Sequence, residues 1–118
     1  MDIRKLQRIV VAALEDIKGE EIEVINTSAL SPLFLRIVIV SAASARQVKA
    51  LARNVADKVR AAGGEVIGVE GEDGGEWVLV DLGDVVVHVM QPQTRALYDL
   101  SSLWQVSSKR NAEATAAS

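Results

Sequence analysis

The sequence predicts a single-domain α/β fold: a mixed β-sheet with flanking helices in the order α-β-β-α-β-β-β-α. Three observations lead there. Two stretches carry apolar residues at helical spacing, five short stretches are rich in β-branched residues, and a Gly83-Asp84 reversal joins two of those five. A chain of 118 residues suits one modest core. With only four aromatic residues (Phe34, Trp77, Tyr98 and Trp104), that core has to be aliphatic.

In the first helix Ile3, Leu6, Ile9, Val10, Ala13, Leu14 and Ile17 form one apolar face. Asp2 is placed to cap it, and Gly19 is expected as its left-handed C-cap. Glu21 to Ile25 alternates as a short strand does. Asn26 to Ser28 and Ser31-Pro32 are loop chemistry, and Leu33 to Val40 reads as a strand covered on both faces. Ser44 and Gln47 make an S-x-x-Q capping box for a second helix with Val48, Leu51, Val55 and Val59 inward, ended by Gly63-Gly64. Glu65 to Val69 is a third strand. The β-α-β order from Ile37 to Val69 predicts a right-handed crossover between parallel strands. After the polar turn Glu70–Gly75, Trp77 to Leu82 and Val85 to Met90 form an antiparallel hairpin, and Pro92 opens a short helix through Tyr98. Residues 1–106 are assigned to the domain and 107–118 to a disordered tail.

Composition narrows the function. There is no cysteine, so disulfide scaffolds, thiolate metal sites and cysteine nucleophiles are excluded. No stretch reaches the roughly 20 apolar residues of a membrane span, and the charged first 18 residues do not read as a secretory signal, so a cytoplasmic protein without membrane contact is expected. The net charge of −3 conceals a gradient. Residues 1–60 hold ten Lys and Arg against seven acids; residues 61–118 hold three against nine. The acidic half suits a basic partner, although solvated surfaces carry similar charge. Direct nucleic-acid contact is not expected, because no aromatic accompanies the cations Arg46, Lys49, Arg53 and Arg60 of the second helix; an RNA-binding module using that helix is the rival reading.

Two constellations carry possible chemistry. Asp84 and His88, four apart in a strand, share a face, and Asp81 across the turn completes a two-carboxylate, one-imidazole set. Such a set suits a divalent metal or acid–base catalysis, as in a metal-dependent nucleotidyl- or phosphoryl-transfer enzyme. Equally, Asp-rich hairpin turns arise for backbone reasons. No nucleophile elbow or phosphate-binding loop is present, and no cofactor is implied. Three of the four rings, Trp77, Tyr98 and Trp104, fall within 28 residues beside Glu76, Asp81, Asp84 and Asp99. Rings among charges compose a protein-binding hot spot or, alternatively, the edge of a small core.

The run Gly75-Glu-Trp77-Val-Leu-Val-Asp81-Leu-Gly83-Asp84-Val-Val-Val-His88-Val-Met90, followed by Arg95, Tyr98, Leu100 and Leu103-Trp104, closely resembles the signature of the ribosomal silencing factor (Iojap-like) family. Ser44-Ala-Arg46-Gln47-Val48-Lys49-Ala50-Leu51 is similar to the start of that family's central helix, and the resemblance spans about residues 3–105. It implies a nucleotidyltransferase-like core without catalytic apparatus. It also implies a non-enzymatic translation repressor that binds the large ribosomal subunit through its basic fourteenth large-subunit protein. Such factors block joining with the small subunit under nutrient limitation, and are often homodimers when free. By position, the resemblance assigns partner contacts to Trp77, Asp81, Asp84, His88, Tyr98, Leu100 and Trp104. The chain departs from the family pattern at Asn26, Leu35-Arg36 and Ala42, outside the hairpin.

Overall fold

The computed structural model describes residues 1–102. Its elements follow the predicted order: α1 (Ile3–Asp16), β1 (Glu20–Asn26), β2 (Arg36–Ser41), α2 (Ala45–Ala61), β3 (Gly68–Glu70), β4 (Trp77–Asp81), β5 (Val85–Met90) and α3 (Pro92–Tyr98). The tail assigned to 107–118, and Trp104 with it, lie outside the described residues.

The strands form one sheet in the order β1-β2-β5-β4-β3. β2 pairs with β5 in parallel, and the other three pairings are antiparallel, so the sheet is mixed as expected. These pairings make β3 run parallel to β2, but β5 and β4 stand between them. The parallel neighbours are therefore β2 and β5, and α2 spans the sheet to deliver the chain to its far edge. The reason is burial. Val85–Met90 is almost wholly buried and takes the central position, whereas the three-residue β3, preceded by exposed Ile67, suits an edge.

Both helix starts match the sequence reading. The Asp2 carboxylate accepts from the Lys5 N–H at 2.8 Å, which holds its carboxyl below the usual range, and Ser44 Oγ accepts from the Gln47 N–H at 3.1 Å. The capping box is only half closed, because the Gln47 side chain donates instead to the Ile17 carbonyl at the end of α1. Asn54 Nδ2 donates to the Ala13 carbonyl at 2.7 Å, so two amide side chains tie the antiparallel helices together.

The end of α1 differs from expectation. Lys18, not Gly19, takes the left-handed conformation (φ 59°). Gly19 is needed for close approach: a Cβ there would meet Val40 Cγ2 at 2.6 Å and the Leu14 carbonyl oxygen at 3.1 Å. In the hairpin Gly83 does adopt positive φ (86°), and the Leu82 N–H reaches the Val85 carbonyl at 2.9 Å.

Both helices cover one face of the sheet. Val38, Val40, Val78, Val80, Val85, Val87 and Val89 meet Leu6, Val10, Leu14, Val48, Leu51, Val55 and Val59 there. The departures from the family pattern have structural roles. Asn26 Oδ1 accepts from both the Ser28 N–H and Oγ–H and from Arg36 Nη1, and Ala42 is buried.

Candidate functional site

The opposite face of the sheet is only partly covered. Period-2 alternation turns Trp77, Leu79 and Asp81 of β4 towards it, with Val86, His88 and Met90 of β5 and Ile37 and Ile39 of β2. Ile37, Ile39 and Met90 form a small second core with Ile25, Phe34, Trp77 and Leu100. Beyond it the surface opens into an apolar cavity of about 810 Å³ between Phe34, Ile67, Leu79, Val86, His88 and Leu100. Three of the six large apolar residues exposed among the described residues stand on or beside this face: Leu33, Ile67 and Tyr98.

The aromatic residues meet at its edge. Trp77 and Tyr98 rings lie 4.9 Å apart, tilted by 48°, and Tyr98 remains 55% exposed. Trp77 Nε1–H donates to His88 Nδ1 at 2.9 Å. An indole N–H can only donate, so Nδ1 is the unprotonated nitrogen and the proton of the neutral imidazole sits on Nε2. Burial pushes the His88 imidazole down to about 4, which keeps this bond in place at neutral pH. The strand register accounts for the contact: Trp77 pairs with Met90 and Leu79 with His88, so Trp77 and His88 are diagonal neighbours.

α3 has no buried residue and depends on a few polar ties. Arg95 Nη1 donates to the Glu21 carbonyl at 2.7 Å and to Ser41 Oγ at 3.0 Å, while Nη2 meets Glu23 at 3.4 Å. Ser101 Oγ donates to the other Glu23 oxygen at 2.6 Å. The Glu21 carbonyl belongs to an irregularity in β1, where the register shifts between Glu20 and Glu23 and Glu21 has φ 50°. Asp99 (φ 37°) ends α3, and its carboxylate faces the Ser102 N–H at 3.4 Å as the chain turns helical again at Leu100.

The structure does not assemble the alternative metal or catalytic set of Asp81, Asp84 and His88. Asp81 and His88 both face the cavity, but Asp81 Oδ1 is taken up by the Gly83 N–H at 2.9 Å. Asp84 sits in the turn, before β5 begins, so strand parity does not apply to it. Its exposed side chain borders a cleft with Met1, Leu6 and Gly64 on the helical side. Among the described residues no three His, Asp or Glu side chains converge in a metal-binding group. Leu100 does belong to this face, and Trp104 falls outside the described residues. Sequence reading missed Phe34, Ile67, Leu79 and Val86 as lining residues and Arg95 as the anchor of α3. The alternation within the hairpin would have identified Leu79 and Val86.

Fold and site together define a class: a small α/β domain whose exposed apolar and aromatic side chains gather on one half-open sheet face. The chain matches the family described as "Ribosomal silencing factor during starvation" over residues 1–118. A ribosomal silencing factor of Chromobacterium violaceum is 50% identical over 104 residues, covering 88% of this chain and 85% of that protein. The crystal structure of a Chromobacterium violaceum protein, also 50% identical, superposes with a TM-score of 0.87 over 89% of this chain and 88% of that one. A shorter match, 45% over 40 residues, is to the mouse protein named mitochondrial assembly of ribosomal large subunit protein 1, covering 34% of this chain and 18% of that protein. The chain belongs to the ribosomal silencing factor family.

Proposed function

We propose that this protein represses translation by docking on the large ribosomal subunit and sterically blocking its joining with the small subunit under nutrient limitation. The observation that carries the reading is the half-open sheet face, where Trp77, Tyr98, Leu33 and Ile67 offer apolar area around a cavity. Away from the helical layer the described chain is acidic. Outside α1, α2 and the residues flanking them, the described chain holds eleven Asp and Glu against only Arg36 and Arg95. Such a face suits a basic ribosomal protein, the fourteenth of the large subunit, with charge speeding encounter and the rings supplying burial. Family membership supports the reading, as does the mouse relative, whose name places it in large-subunit assembly.

Trp77, Asp81, His88, Tyr98 and Leu100 are the residues assigned to this contact, with Trp104 added from the sequence. Asp84, assigned to the contact by sequence position, borders the helical side of the sheet and stands apart from this face. Blocking of this kind needs no cofactor and no catalytic group. The protein acts in the cytoplasm; among the described residues no helix is long and apolar enough to cross a membrane. The same exposed face accounts for a homodimer in the free state, since a second copy would cover it until the ribosome competes. Sedimentation with separated ribosomal subunits tests the proposal. Co-migration with the large subunit alone is expected, and absence from that fraction at micromolar protein would contradict it.

A further inference from the structure

Folding regroups the cations that the chain distributes along its first half. Nine of the eleven Lys and Arg within the described residues lie on α1, on α2 or at Lys18 between α1 and β1, and all but half-buried Lys49 are exposed. On α2, Arg46, Arg53 and Arg60 recur every seven residues, about two turns, and so mark one stripe about 21 Å long, with Lys49 beside it. The antiparallel packing of the helices brings the amino end of α1, with Arg4, Lys5 and Arg8, to the carboxyl end of α2, where Met1 approaches Gly64. Among the described residues the single ion pair is Arg95–Glu23, so no carboxylate neutralises any of these nine at contact distance. Four acids share the layer (Asp2, Glu15, Asp16 and Asp57), and Asp57 interrupts the stripe between Arg53 and Arg60.

The chemistry around the stripe selects the partner. A helix that binds a membrane surface inserts an apolar face, but Val48, Leu51, Val55 and Val59 of α2 are all buried against the sheet. A protein partner would be anchored by rings or large apolar side chains, and neither α1 nor α2 carries an aromatic residue. What remains is an extended row of unpaired guanidinium and ammonium groups, the match for a regularly spaced phosphate backbone.

We propose that the α1–α2 layer is a second contact surface, which holds the phosphate backbone of RNA without reading its sequence. The expectation of no nucleic-acid contact followed from charge counted along the chain and from missing aromatic residues. Phosphate contact needs no stacking, and the fold concentrates the charge. The proposal is independent of the docking role of the opposite face.

The test is a fluorescence-anisotropy titration of the full chain against protein-free, mixed-sequence RNA over roughly 50 to 200 mM salt. The wild type is compared with the triple variant Arg46→Gln, Arg53→Gln, Arg60→Gln. The triple variant should lose at least about tenfold in affinity at the lowest salt, and its slope of log affinity against log salt should flatten by about 2 to 3. Tyr98→Ala, on the other face, should bind RNA like the wild type. No measurable RNA binding by the wild type would overturn the proposal, as would a triple variant with unchanged affinity and slope. So would binding to phosphatidylglycerol vesicles in place of RNA. If the triple variant unfolds, Arg53→Gln and Arg60→Gln singly should each flatten the slope by about 0.7 to 0.9, and unchanged slopes would overturn the proposal.

Discussion

On one face of the sheet, seven valines from three strands lie sealed beneath α1 and α2; on the other, only Ile37, Ile39 and Met90 are fully buried apolar residues. The residue types differ as much as the burial. The covered face is built from β-branched side chains that interlock with Leu and Val of the helices, where each methyl group has a neighbour. The open face carries larger side chains with polar tips, Trp77, His88 and Tyr98, that can pack on one side and contact a partner on the other. Stability is concentrated on the first face and recognition on the second, and substitutions should separate the two.

The largest effect belongs to the covered face. Leu51, fully buried between α2 and the sheet, touches the space beside Gly19. Leu51→Ala should lower unfolding free energy by about 2–5 kcal/mol in urea titrations, while Leu97→Ala, at a residue 78% exposed, should stay within about 0.5 kcal/mol.

Next comes His88, which couples the open face to stability. Its imidazole titrates at about 4 in the fold against 6.5 in the unfolded chain. Between those values the unfolded state binds more protons, so stability is fully present above pH 6.5 and falls as pH drops towards 4. The loss amounts to about 3 kcal/mol, and the Trp77–His88 bond persists through it until the folded-state imidazole charges near pH 4. Urea midpoints measured across that range should show the decline, and His88→Leu should remove this part of it. Smaller again is Gly19→Ala, where the Val40 methyl must give way. It should cost about 1–3 kcal/mol by thermal melting, despite alanine's gain in backbone entropy.

Local chemistry was legible in the sequence. Asp2 and Ser44 announce their helices through caps that act within three residues, and Gly83 marks the hairpin because only a tight reversal separates its two β-branched runs. Non-local pairing was not. Nothing near Arg36–Ser41 indicates that Val85–Met90 will lie beside it, since that choice depends on which strand gains most from burial on both faces. The candidate site divides in the same way. Trp77, His88 and Tyr98 were recognisable, and the hairpin register alone would have made Trp77 and His88 neighbours. Asp84 misled because strand alternation was extended one residue into a turn. The tie between Arg95 and the irregular stretch of β1 spans 74 residues and has no local sign.

If the open face binds and the covered face stabilises, the two roles come apart at Tyr98. The most direct measurement is the affinity of the Tyr98→Ala variant for purified large ribosomal subunits, with its urea stability determined in parallel. The expected result is a loss of affinity of about 1–3 kcal/mol, with stability reduced by no more than about 1 kcal/mol. Wild-type affinity in a stably folded Tyr98→Ala variant would contradict it.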